Sequence, residues 1–535
     1  MDNETFDYVV VGAGSAGCVL ANRLSSDPSI RVCLIEAGPK DRSPLIHVPL
    51  GMVGLANHRT LKWHDHTTPQ ADADRRTILM PHGRTLGGSS AINGMVYMRG
   101  HPADYDDWAH AGNAGWSYRE VLPYFRRSEN NEVFKDAEFH GTGGLLNVTT
   151  PDDLNGMAEV LLQATDSLQI PRRADFNGAE QDGFGIRQVT QRNGWRETAA
   201  TAFLKPARRR PNLRIITGAL TDRVVMKDHR AIAVEVIIGR QRRIIGARRD
   251  VILSAGAIAS PAILMRSGIG DGDALRALGV GIAHHLPGVG QNLQDHSAAG
   301  VKFTSPSSLP YGLSLRSLPR ITLSVFEYLL FRRGLFASSI MQAGGFVRTD
   351  PSLERPDIQY SFMPALRNAT GGLTIGHGYL LNAFLLRPRS RGTVKIADAA
   401  PTSPPVIDPR FFSEPDDLDV LLRGVKLARR ILDAPAFDPY RGVELLPGAH
   451  VKTDDALRDV IRRTAATAFH PVGTCRMGTD DHAVVDPQLR VRGIGGLRVV
   501  DASIMPTIIG GNTNAPVIMI AEKAADMILG RPPLN

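Results

Sequence analysis

An α/β protein with a dinucleotide-binding unit near its N-terminus is predicted by three observations. The chain has 535 residues, more than one small core accommodates. A β-rich apolar run, Phe6 to Val11, leads straight into Gly12-Ala13-Gly14-Ser15-Ala16-Gly17 and then into a helical pattern. A second short strand, Arg31 to Ile35, ends at Glu36, which lies 19 residues after Gly17.

Each element has a physical reason. The first run becomes continuously apolar, as a parallel strand buried on both faces does. Gly12 permits the tight turn, Gly14 lets backbone approach a pyrophosphate, and Gly17 lets the helix pack close to the sheet. Ser15 and Ala16 sit at the helix N-terminus, whose free N–H groups and positive dipole end suit phosphates. Val19, Leu20 and Leu24 give the helix its apolar face, and the pattern ends near Ser26-Asp27-Pro28. Glu36, followed by Ala37, is placed to bind ribose hydroxyls and disfavours a 2′-phosphate, hence NADP. The motif by itself does not separate NAD from FAD.

Composition narrows the function classes. Hydrophobic residues make up 43% and charged residues 22%, which is ordinary for a folded globular protein. The net charge of +8 is dispersed; Arg208-Arg209-Arg210 is a short run without interleaved aromatics, so no nucleic-acid partner is expected. Cys18, Cys33 and Cys475 form no CxxC pair, and the acidic start at Met1 lacks the features of a signal peptide. A reducing, cytoplasmic location is the expectation. No uncharged apolar stretch has the length of a membrane span, so no integral membrane segment is expected. Ile321 to Phe331, apolar except for Glu327, reads as a core helix. The pair His64 and His66 has no third ligand nearby, so no metal is expected, and His284 and His285 read as surface or packing residues.

Six further segments are more specific. Gly83-Arg84-Thr85-Leu86-Gly87-Gly88-Ser89-Ser90-Ala91-Ile92-Asn93-Gly94-Met95-Val96 opens a backbone-rich, hydrogen-bonding loop that continues to Gly100. Gly256 to Gly270, Leu286 to His296, His470 to Gly478, Val500 to Pro506 and Gly511 to Pro516 follow in order. Together they resemble, across the whole chain, the glucose–methanol–choline (GMC) oxidoreductases. The resemblance implies FAD rather than NAD. It implies a Rossmann-like FAD-binding domain interleaved with a substrate domain of antiparallel sheet plus helices. The expected division is 1–155, 205–300 and 456–535 for FAD, and 156–204 and 301–455 for substrate. FAD contacts are expected, beyond the first motif, from Arg84, Gly87, Gly88, Ser89, Asn93, Gly94, Met95, Val96, Thr221, Ala255, Asp501, Ala502, Asn512, Asn514, Ala515 and Pro516. Some relatives bond flavin covalently through a histidine where this chain has Ile92. Isoleucine cannot form that bond, so FAD is expected to be held non-covalently.

An alcohol yields hydride readily only as its hydroxyl proton leaves. The site therefore needs a proton acceptor and a second polar group on the alcohol oxygen. Imidazole titrates near neutral pH and Pro471 favours extended backbone at His470, which also suits a structural histidine; the resemblance implies that His470 is the acceptor. The resemblance places a histidine or asparagine opposite it, and Asn514 is the expected carboxamide; its other reading is a helix cap before Pro516. The resemblance also implies that the helix from Pro516 aims its N-terminus at the flavin pyrimidine, worth about 0.3–2 kcal/mol toward charge arriving there.

For the substrate pocket, Phe469, Tyr360, Phe362 and Met363 are the candidates, each equally readable as core. Choline-type relatives carry a glutamate where this chain has Gln342, ahead of Ala343-Gly344-Gly345-Phe346. A neutral primary alcohol, aromatic or long-chain, is therefore expected. The acceptor is oxygen or another oxidant, with resemblance to bacterial choline-dehydrogenase-like relatives favouring a dehydrogenase. A lyase retaining FAD on the same scaffold and a non-catalytic flavin-binding protein are the rival readings.

Overall fold

In the computed structural model, residues 4–56, 58–151, 153–366 and 374–534 are described. Residues 1–3, on which the reading of the acidic start partly rests, lie outside them. Two sheets organise the chain. The first holds parallel strands in the order Leu213–Thr217, Val32–Glu36, Thr5–Val11, Gln241–Leu253 and Leu497–Val499. Gln241–Leu253 is long because it serves two partners. Its first half pairs antiparallel with Arg230–Ile238, which pairs with Ala219–Lys227; its second half joins the parallel set. Thr5–Val11 is buried from Phe6 onward, as its unbroken apolar run requires.

Ser15–Leu24 follows the glycine turn and packs against the last helix, Asn514–Leu529. This contact joins the two ends of the chain through buried charge. Glu522, fully buried, pairs with Arg23 at 2.7 Å and Arg127 at 2.8 Å, and Arg127 also reaches Asp526 at 2.6 Å. Removing one partner of such a set leaves a buried, uncompensated charge, so the network fixes the C-terminal helix against the glycine turn.

The second sheet has eight strands and runs antiparallel in the order Glu444–Leu446, Ser297–Thr304, Gly376–Leu385, Ile358–Met363, Ala343–Val347 and Gly183–Ile186. The expected boundary at 300/301 falls inside Ser297–Thr304. Ala466–Thr467, beyond the expected boundary at 455/456, also pairs with this sheet. Helix Pro415–Leu432 covers one face, where the Tyr360 hydroxyl donates to the Gly424 carbonyl at 2.8 Å.

The segment read as a core helix is not in the core. Leu318–Phe331 is helical, yet only Ser324 and Tyr328 are buried; Leu323, Phe326 and Leu330 face solvent. Apolar composition suggested burial, but the residues that fit against the sheet domain are the small and hydroxyl-bearing ones. No helix among the described residues is long and apolar enough to cross a membrane.

Candidate active site

The dinucleotide cradle forms where the glycine turn meets the first long loop. Gly12 has φ +96°, and a Cβ there would lie 2.5 Å from the Ser254 carbonyl oxygen. Gly88 has φ +52°, and a Cβ there would come 2.6 Å from the Gly14 Cα. Two backbones thus meet with no room for side chains. The buried Ser254 hydroxyl and Arg84 Nε have no hydrogen-bond partner among the described residues, as expected of groups facing a polar ligand. At the strand end, Glu36 accepts N–H groups from Ala13 at 2.9 Å and Gly38 at 2.8 Å. Burial nonetheless raises its pKa to about 7. Donors from a ribose would favour its charged form further. These features fit the adenosine and pyrophosphate of FAD.

The loop after Gly88 is braced from within. The Asn93 carboxamide oxygen accepts from the Met95 N–H at 3.0 Å and from Arg196 at 2.9 Å. That bracing holds Met95 at φ +62°, a conformation uncommon for a side-chain-bearing residue. Val96 is buried beside Met98 and Phe346, and Ser89 accepts from the Gly83 N–H at 3.1 Å. Thr221 is buried at a bulge in its strand. Asp501 is committed to protein donors, capping Gly256 N–H at 2.8 Å and Ser260 at 2.6 Å, which fixes Ala255 and Ala502 on either side of it. Ala515 and Pro516 lie in the buried first turn of the last helix. Ile92 packs against the apolar cluster of Ile46, Leu55 and Leu61.

The reactive end is a chain of five groups. The His296 Nε2 lies 3.1 Å from the Leu386 carbonyl oxygen, which can only accept. Its Nδ1 lies 3.0 Å from the His470 Nδ1. The His470 Nε2 lies 3.2 Å from the Asn512 amide nitrogen, and the Asn512 oxygen accepts from the Gln359 amide at 3.1 Å. Burial drives His296 well below the usual imidazole pKa and His470 down to about 4, so both rings are neutral. One tautomer pattern then satisfies every contact. His296 carries its proton on Nε2, His470 carries its proton on Nδ1, and the His470 Nε2 keeps its lone pair.

The loop bearing His470 is clamped by its neighbours. The buried Asp295 accepts the His470 backbone N–H at 2.9 Å and takes the Thr467 hydroxyl on its other oxygen. Thr467 in turn accepts the Phe469 N–H at 2.7 Å, which holds Phe469 at φ +64° and leaves its side chain 56% exposed.

Two expectations are corrected by this geometry. The carboxamide beside His470 belongs to Asn512. Asn514 instead opens the last helix and accepts the Ser15 hydroxyl at 2.6 Å, which places it at the glycine turn of the cradle. The two residues face different parts of the site, and Thr513 between them stands at the N-cap position without a side-chain cap. Tyr360 and Phe362 are packed in the core of the sheet domain. They lie on the covered face of their strand, where Phe362 packs on Tyr379 and Phe437. Period-two alternation puts Gln359, Ser361 and Met363 on the other face, so Met363 stays a candidate and Gln359 joins the site. A polar residue in a strand that is buried along its length was the available signal for Gln359. The Asp295-His296 pair inside the third segment was the signal for His296. Among the described residues no group of three His, Cys, Asp or Glu side chains could hold a metal.

Comparison with known proteins identifies the family. The GMC oxidoreductase family models match residues 6–298 and 388–521. The chain belongs to the GMC oxidoreductases. It is 44% identical over 527 residues to an alcohol dehydrogenase [acceptor] of Pseudomonas putida, covering 98% of this chain and 96% of that protein. It is 43% identical to an oxygen-dependent choline dehydrogenase of Brucella ovis, covering 99% and 96%. The fold superposes on a crystal structure of pyridoxine 4-oxidase from Mesorbium loti with a TM-score of 0.90, at 34% identity, covering 98% and 100%. As a GMC oxidoreductase the chain is an FAD-binding flavoenzyme acting on alcohols.

Proposed function

We propose that this GMC oxidoreductase converts a neutral primary alcohol to its aldehyde, with His470 taking the hydroxyl proton and Asn512 holding the alcohol oxygen. The observation that carries this reading is the convergence of the His470 Nε2 and the Asn512 amide at 3.2 Å. When bound, FAD supplies a two-electron acceptor that takes hydride at its N5. His470 offers a lone pair whose direction is set by His296, so the base needs no tautomer change before use. With no substrate bound the Asn512 amide donates to the His470 Nε2; an entering alcohol takes its place there, its hydroxyl facing the freed lone pair and its oxygen accepting from the amide, which Gln359 prevents from turning over.

A neutral substrate is supported at Gln342. Its oxygen accepts from the Asn155 N–H at 2.9 Å and its nitrogen donates to the Asp153 carbonyl at 2.7 Å. The position is thus a structural amide, with no carboxylate to attract a cation. The electron acceptor in this reading is an oxidant other than oxygen, a choice that the printed name of the Pseudomonas relative, alcohol dehydrogenase [acceptor], leaves open and that the rate of recovery in air tests.

Anaerobic addition of alcohols of graded size and charge tests the reaction. Bleaching of the flavin by neutral primary alcohols, followed by slow recovery in air, is the expected outcome. An unchanged spectrum with cleavage of a cyanohydrin would replace this reading with the lyase. The cofactor linkage is tested separately: acid- or heat-denatured protein is expected to release its FAD into the supernatant, since Ile92 offers no atom for a covalent bond. Flavin retained on the denatured chain would overturn that.

A further inference from the structure

The helix Leu318–Phe331 is built inside out. Its inward positions are Ser324 and Tyr328, and the Tyr328 hydroxyl donates to the Gly194 carbonyl at 3.1 Å. Its outward positions are large and apolar: Leu323 is 69% exposed, Phe326 59%, Leu330 72% and Phe331 68%. Two further apolar residues outside the helix, Leu315 at 88% and Ile375 at 89%, are also exposed. Contiguous apolar surface of this kind marks a face that meets something else.

Charge says what that partner is. Arg316 and Arg320 stand at the start of the helix, Arg332 and Arg333 at its end, and Glu327 is the one acid between Leu315 and Arg333. Arg320 lies over the Tyr311 ring at 5.7 Å; Arg332 lies over the Trp195 ring at 4.4 Å and donates to the Tyr328 carbonyl at 3.2 Å, so the protein holds a cation near each end of the helix. A second copy of the chain would bring arginine against arginine in either helix orientation, since both ends are basic. An anionic bilayer surface takes both ends at once and buries the apolar stripe between them. Fourteen residues make a helix of about 21 Å, shorter than a hydrocarbon core of about 30 Å, so it lies in the interface without spanning it.

We propose that Leu318–Phe331 docks this enzyme on an anionic lipid surface, with Leu323, Phe326 and Leu330 entering the acyl boundary and the arginines on headgroup phosphates. The inference does not rest on the reaction assigned above. The test uses full-length, flavin-loaded protein sedimented with phosphatidylcholine vesicles, with and without phosphatidylglycerol, at physiological ionic strength. Wild type is expected to sediment with the mixed vesicles. The triple variant Leu323→Ser, Phe326→Ser, Leu330→Ser is expected to partition at least about tenfold more weakly. An unchanged flavin spectrum shows that it is folded, as substitutions at exposed positions allow. The proposal is overturned if wild type stays in the supernatant. It is also overturned if the triple variant binds as well as wild type, because the net charge alone then accounts for binding. A wild-type dimer in solution that the triple variant dissociates would give the face to a second copy instead.

Discussion

Replacing His470 with alanine is expected to lower kcat/KM for alcohol oxidation by about 10²–10⁴-fold while leaving FAD bound, the range for loss of a positioned general base. The expectation follows from a directed lone pair. The Leu386 carbonyl can only accept, so His296 must donate to it through Nε2. A neutral His296 then has only an acceptor left for His470, and His470 must spend its one proton there. Its Nε2 is left as the single basic position aimed at Asn512. Because the protonated ring cannot act as base, activity is lost as pH falls through the His470 pKa, which burial has lowered to about 4. In wild type, kcat/KM should therefore hold level from neutral pH down to about 5 before its acid limb begins. A limb centred near the pKa of a free imidazole would mean that the ring is solvated and that the relay through His296 does not operate. Undiminished turnover in the alanine variant would remove His470 from the reaction altogether.

The second expected result separates two asparagines that lie two residues apart. Asn512→Ala is expected to cut turnover by about 10²–10³-fold, the cost of losing one donor to a developing oxyanion, with FAD affinity unchanged. Asn514→Ala should do the reverse. It strips the acceptor from the Ser15 hydroxyl at the glycine turn, so FAD should dissociate more readily while turnover of the FAD-saturated protein stays near wild type. Flavin titration and steady-state kinetics on both variants read the two effects independently. If Asn514→Ala abolishes turnover at saturating FAD and Asn512→Ala does not, the roles assigned by the geometry are exchanged.

The asparagine pair shows where sequence reasoning stops. Both residues sit in one short segment, both are carboxamides, and both precede a helix. Which one meets the histidine depends on where the helix begins and how it is placed, and its placement is tied through Glu522 and Asp526 to Arg23 and Arg127. Such pairings join residues hundreds of positions apart, and no local pattern specifies them. The strand Ile358–Met363 teaches a related lesson. Its alternation was readable, but which face points to the site is decided by the helix Pro415–Leu432 that covers the other.

The role expected of His470 rested on the family resemblance, whereas local rules were sufficient for the N-terminal strand, the glycine turn and the acid at Glu36. Each of these rests on backbone conformation or on spacing along a few residues, which neighbouring side chains cannot easily override. The face of a strand, the exposure of an apolar helix and the tautomer of His470 were decided only by tertiary structure. Those properties belong to what lies opposite in space, and burial and hydrogen bonding act across that gap with no regard for distance along the chain.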